Sequence, residues 1–159
     1  MSQRIDYTKA SPDGVKALGG VYSYVAQSGL NTLLVDLVYL RISQINGCAY
    51  CLDMHTRALL KEGVTIEKLA LLQAWREAGK LFDVKERAAL AWAESLTEVA
   101  RTGAPDHDFD AAAAVFSEKE LVDLTIAIGL MNAYNRLSIG FRNPPAAAQA
   151  AQAAQAAAS

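Results

Sequence analysis

Arg41-Ile42-Ser43-Gln44-Ile45-Asn46-Gly47-Cys48-Ala49-Tyr50-Cys51-Leu52-Asp53-Met54-His55 reads as the end of one helix, a turn and the start of another. Asn46-Gly47 is a poor helix interior and a good turn, so the two cysteines are expected in the first turn of the second helix. At about 100° per residue, Cys48, Cys51 and His55 fall at about 0°, 300° and 340°, within one narrow stripe. The positive end of a helix lowers the pKa of a thiol, and a nearby imidazole can take its proton. This is the layout of a dithiol redox centre.

Helix signals recur on both sides of this stretch. Ser11-Pro12 starts a helix as cap and first-turn proline, and Ser28-Gly29 ends it. Asn31 caps Thr32 to about Gln44, whose Leu33, Leu34, Leu37, Val38, Leu40 and Ile42 leave little polar surface. The helix carrying the cysteines stops at Gly63, and Thr65 opens another to about Ala78. Asp83 with Glu86 and Ser117 with Glu120 are capping boxes, for helices to about Ala100 and Phe141; Pro105-Asp106 begins a short one between them. Alternating strand patterns are nearly absent. The expected fold is all-α, a compact bundle of about six to seven helices over residues 1–145. Residues 146–159 form an Ala/Gln-rich low-complexity tail with no large side chain to pack.

Composition narrows the function classes. The chain has 159 residues, enough for one domain with a real core, and a formal net charge of −2. Lys and Arg are scattered rather than clustered, which gives no electrostatic argument for nucleic acid or an anionic membrane. No leader pattern precedes Lys9 and no apolar run is long enough to span a bilayer, so a cytoplasmic location is expected. Thiols stay reduced there, which makes a cysteine pair catalytic or metal-binding rather than a staple. A zinc site would use Cys48, Cys51 and His55, but there is no second CxxC, and His107 sits in an acidic stretch. The Leu121–Phe141 helix is apolar nearly all round, which points to a core position or a homo-oligomer interface.

Asp36 is the unusual acid, set in Leu33-Leu34-Val35-Asp36-Leu37-Val38. A carboxylate in such surroundings must be paired or functional. As a paired group it would meet Arg41 or an arginine of another helix such as Arg136.

Residues 41–55 resemble the signature of the carboxymuconolactone decarboxylase-like superfamily, in its alkylhydroperoxidase D (AhpD-like) branch. Leu72–Glu77, Glu86–Glu94 and Ile128–Arg142 extend the likeness over about residues 10–142. The resemblance implies an all-helical protein assembling as trimers or hexamers that reduces organic or hydrogen peroxide. It implies Cys51 as the peroxidatic thiol and Cys48 as the resolving one, closing a redox-active disulfide with no tightly bound cofactor and no metal. His55 and Asp36 map onto the family's proton relay. A lipoyl-type or thioredoxin-like dithiol is the implied electron donor. Two departures stand out: Asp36 replaces a glutamate, and Tyr50 stands where the family's well-studied enzyme has a histidine. Competing readings are a lactone decarboxylase, which needs no dithiol, and a non-enzymatic redox-sensing or zinc-binding oligomer.

Overall fold

The computed structural model describes residues 2–157, which contain ten α-helices and no strand. In chain order these are α1 (Tyr7–Ala10), α2 (Pro12–Ala26), α3 (Thr32–Asn46), α4 (Ala49–Lys61) and α5 (Ile66–Leu71). They continue as α6 (Val84–Thr97), α7 (Val99–Thr102), α8 (Asp106–Ala113), α9 (Glu118–Gly140) and α10 (Ala146–Ala157). The all-α expectation holds, whereas the count of six to seven helices is corrected to ten. The difference comes from one-turn helices and from breaks. The helix expected to reach Ala78 ends at Leu71 and continues as two 3-10 turns, Leu72–Ala74 and Gly79–Leu81. The one expected to reach Ala100 stops at Thr97 and restarts as α7. The Ala/Gln segment is helical as α10, docked through the Ala147 amide, which donates to Asp53 Oδ2 at 3.1 Å.

Capping decides the long helices. Asn31 Oδ1 accepts from the Leu34 amide at 3.1 Å, and both capping boxes close reciprocally. Each such cap contributes about 1 kcal/mol.

Helix α3 is the centre of the molecule. Val35, Val38, Tyr39 and Ile42 pack toward α6 and α9, against Trp92, Leu124, Ile128 and Met131. Leu37 and Leu40 enter a second cluster with Leu59, Leu72, Trp75, Phe82 and Leu90. Its low polarity is therefore spent on two cores at once. The longer α9 is less completely covered, since Val122 is 58% exposed and Ile126 and Ile139 also reach the surface.

One carboxylate ties these layers together. Glu94 of α6 accepts from Arg41 Nε of α3 at 2.6 Å, from Trp75 Nε1 at 2.9 Å and from the Arg76 guanidinium. Burial alone raises the Glu94 pKa, but its three donors outweigh burial and hold it below its ordinary value of 4.5. Because the folded pKa is depressed, the stability this carboxylate contributes is fully present above pH 4.5. It is lost as pH falls through the lower folded value. Glu94→Gln is expected to destabilise by about 2 to 3 kcal/mol, under the range for a fully buried pair because Arg76 is solvent-exposed. Urea unfolding of both proteins from pH 7 down to 3 checks this. The gap between them should narrow as acid protonates Glu94, and a constant gap would show that charge is not what Glu94 supplies.

Candidate active site

The turn that delivers the cysteines is built as its sequence suggests. Gly47 closes α3 in the left-handed region (φ 70°), a conformation glycine adopts without the Cβ penalty. The next residue, Cys48, is the N-cap of α4, and its Sγ accepts from the Cys51 amide at 3.4 Å. Cys51 lies in the first turn. The two sulfurs are joined as a disulfide, with Cα atoms 5.4 Å apart. Both residues are buried.

One turn further, His55 is 3% exposed and turns its ring toward α3. There Asp36 Oδ1 lies 3.3 Å from His55 Nδ1. With a carboxylate facing it, Nδ1 carries the hydrogen, which leaves Nε2 to exchange protons with a reacting group. Nε2 is buried and has no partner. The Tyr39 ring stacks obliquely on the imidazole at 5.3 Å between centroids. Burial, with Tyr22, Asp36 and Tyr134 nearby, raises the Tyr39 phenol far above its ordinary pKa, so it stays neutral.

Cys51 and His55 share a cavity of about 270 Å³ with Tyr22, Met54, Met131 and Tyr134. Cys48 instead lines a separate cleft of about 530 Å³ between the start of α4 and the segment Ser138–Gln152. The disulfide thus lies between two openings of different character.

The structure brings Cys48, Cys51, His55 and Asp36 to one place. It does not bring the arginines suggested for Asp36. Arg41 is engaged by Glu94, and Arg136 points outward, its Nη1 donating to Asn132 O at 2.8 Å. The reason is which face of α3 each residue occupies: Asp36 meets His55 of α4, whereas Arg41 turns toward Glu94 of α6. Also outside the site is His107, which is exposed beside Asp108. No group of three or more His, Cys, Asp or Glu side chains among the described residues is placed to hold a metal ion.

Sequence reasoning missed two sets of residues. One is the cavity wall, Tyr22, Met54, Met131 and Tyr134, which comes from three different helices and left no local signal. The other is a buried amide network supporting the turn. Asn46 Nδ2 donates to Asn132 Oδ1 (3.0 Å) and Asn135 Oδ1 (2.9 Å), and Asn135 Nδ2 donates to Ser43 Oγ (3.1 Å). These bonds pin the end of α3, and so the Cys48 cap, to α9.

Comparison with known proteins identifies the family and the fold. A model of the carboxymuconolactone decarboxylase family matches residues 12–95, more than half of the chain. The uncharacterized protein YdfG of Bacillus subtilis (strain 168) is 36% identical over 143 residues, covering 90% of this chain and 97% of that protein. A crystal structure from Agrobacterium tumefaciens superposes with a TM-score of 0.87 at 42% identity, covering 91% of this chain and 98% of the other. That protein is of unknown function, with an antioxidant-defence role of the AhpD kind suggested for it. The debrominase Bmp8, at 23% identity and a TM-score of 0.78, covers 91% of this chain and 77% of its own, and shares the fold. By the family match over residues 12–95 and the likeness to the Agrobacterium structure, the chain belongs to the carboxymuconolactone decarboxylase family, in its AhpD-like branch.

Proposed function

We propose that this protein is a thiol-dependent hydroperoxide reductase that cycles between the Cys48/Cys51 dithiol and its disulfide. The observation that carries this reading is the free edge of a buried histidine. His55 is held by Asp36 at Nδ1, its Nε2 has no partner, and it shares a cavity with Cys51.

In the reduced protein, His55 Nε2 takes the Cys51 proton and the thiolate attacks the outer oxygen of a hydroperoxide. An S–O bond forms, the O–O bond breaks, and the departing alkoxide recovers the proton from His55 as an alcohol. Cys51 is now a sulfenic acid. Cys48 then attacks the Cys51 sulfur, the S–S bond forms, and the hydroxyl leaves as water with the Cys48 proton. One hydroperoxide is reduced to alcohol and water by two thiols, and a dithiol donor of lipoyl or thioredoxin-like type resets the pair. The helix N-terminus favours Cys48 as thiolate, but Cys51 is the sulfur that shares the His55 cavity, and an adjacent base also delivers the proton. Tyr22, Met54, Met131 and Tyr134 suit an organic hydroperoxide with an apolar substituent. The direct test mixes pre-reduced protein with one equivalent of cumene hydroperoxide under anaerobic conditions. Loss of two thiols per alcohol formed supports the reading, and thiol loss no faster than in buffer rejects it.

The same reading includes a homo-oligomer, trimer or hexamer. Val122 and Ile126 of α9 stand exposed beside Trp92, Phe109 and Phe116 around an apolar cleft of about 750 Å³. Patches of this kind commonly mark interfaces. Light scattering at micromolar protein is expected to give a multiple of 17.0 kDa. A monomer mass would overturn it.

A further inference from the structure

We infer that the cleft over Cys48 is the docking site for the reductant, and that it takes a small thiol carrying a carboxylate. The inference rests on the dithiol cycle proposed above and names the ligand class of its second half.

The two openings around the disulfide differ in chemistry. The Cys51 side is walled by thioether and phenol side chains and holds the histidine. The Cys48 side holds Arg4, Tyr50, Arg142 and Asn143, with Pro144–Pro145 and α10 forming one wall. Arg142 is exposed at a positive φ of 55°, and its guanidinium makes no hydrogen bond or ion pair among the described residues. Arg4, by contrast, is fastened, its amide to Phe141 O at 2.9 Å and its Nη1 to Gly140 O at 3.0 Å. Asp53, the acid on which α10 docks, is taken by Arg57 at 2.7 Å and by the Ala147 amide. A cation with no carboxylate partner among the described residues therefore lines the same cleft as Cys48. Cys48 is only 1% exposed, and the cleft has the size of a small-molecule site. A slender thiol fits this better than a folded donor.

The chemistry suits attack from this side. A donor thiolate attacks Cys48 Sγ, forming a mixed disulfide. The Cys48–Cys51 bond breaks and its electron pair lands on Cys51, beside His55. The donor's second thiolate then attacks its own bridged sulfur, the donor leaves as a cyclic disulfide, and Cys48 departs as a thiolate onto the Cys51 amide that already faces it. The two donor protons end on the two protein thiols.

Dihydrolipoate and dihydrolipoamide have the same two thiols and differ in one charge. Opening of the disulfide in the oxidised protein, followed by alkylation and mass shift at low ionic strength, is expected to be about three- to fivefold faster with dihydrolipoate, the scale of one exposed ion pair. The preference should fade toward 0.5 M salt. Arg142→Gln should erase it and Arg142→Glu invert it, with dihydrolipoamide rates within about twofold of wild type, as a surface charge change leaves a neutral ligand unaffected. Brief treatment with 3-mercaptopropionate, then iodoacetamide, should place the adduct on Cys48 and the alkyl group on Cys51. Equal rates for the two donors in wild type, equal losses in the variants, or an adduct on Cys51 would each overturn the inference. Failure of pre-reduced protein to consume hydroperoxide, with the charge preference intact, would reject the peroxidase reading and leave the thiol site standing.

Discussion

Cys51→Ser is expected to abolish hydroperoxide turnover, whereas Cys48→Ser should consume one equivalent and then stop as a sulfenic acid. Cys51 shares a cavity with the unpartnered Nε2 of His55, and Cys48 lines the other cleft. Without Cys51 no thiol lines the histidine's cavity, and the loss should reach the uncatalysed background. A fall of more than about 1000-fold is the scale for removing a nucleophile from a catalytic unit. Without Cys48 the first step keeps all its parts, and only the resolving thiol is gone. Dimedone trapping and mass spectrometry after one equivalent of hydroperoxide separate the two variants. A stable sulfenic acid on Cys48 in the Cys51→Ser protein would reverse the roles. Serine is a fair substitute in each place, because both residues are small and the Cys48 cap can be made by a hydroxyl.

Asp36→Asn should slow the same first step by about 10- to 100-fold, the usual consequence of removing the group that orients a working histidine. The carboxylate at 3.3 Å holds the Nδ1–H tautomer of His55. An amide of the same shape can present its nitrogen instead and turn the imidazole's roles around. The Asp36 side chain is mostly buried, so the substitution conserves volume and should leave the fold intact. The alkylation profile of the reduced thiols is expected to move to higher pH in Asp36→Asn. Coincident profiles would make Asp36 a structural neighbour only. Asp36→Glu should match or exceed wild type, because one more methylene shortens a contact that is long for a hydrogen bond.

Much of this was legible in the chain itself, because the relevant forces are local. The caps at Asn31, Asp83 and Ser117, and the left-handed Gly47 that ends α3, are written within four residues of where they act. The stripe of Cys48, Cys51 and His55 follows from helical geometry alone. Helices α5, α7 and the 3-10 turns were misread because propensity favours continuing a helix, and only packing breaks it. Leu72 and Trp75 belong to the second core cluster together with Leu69, although the α-helix ends at Leu71.

What tertiary structure decided was partnership across helices. Sequence could say that Asp36 must be paired, since a buried carboxylate alone is costly. It could not choose His55 over Arg41 or Arg136, because the choice depends on the rotation of α3 against α4 and on Glu94 already claiming Arg41. Nor could it show that the disulfide stands between two unlike openings. The apolar one is assembled from α2, α4 and α9, and the cationic one from residues as distant as Arg4 and Arg142. Spacing along a helix determines which atoms of one element stand together. Only the packing of helices against each other determines what faces them.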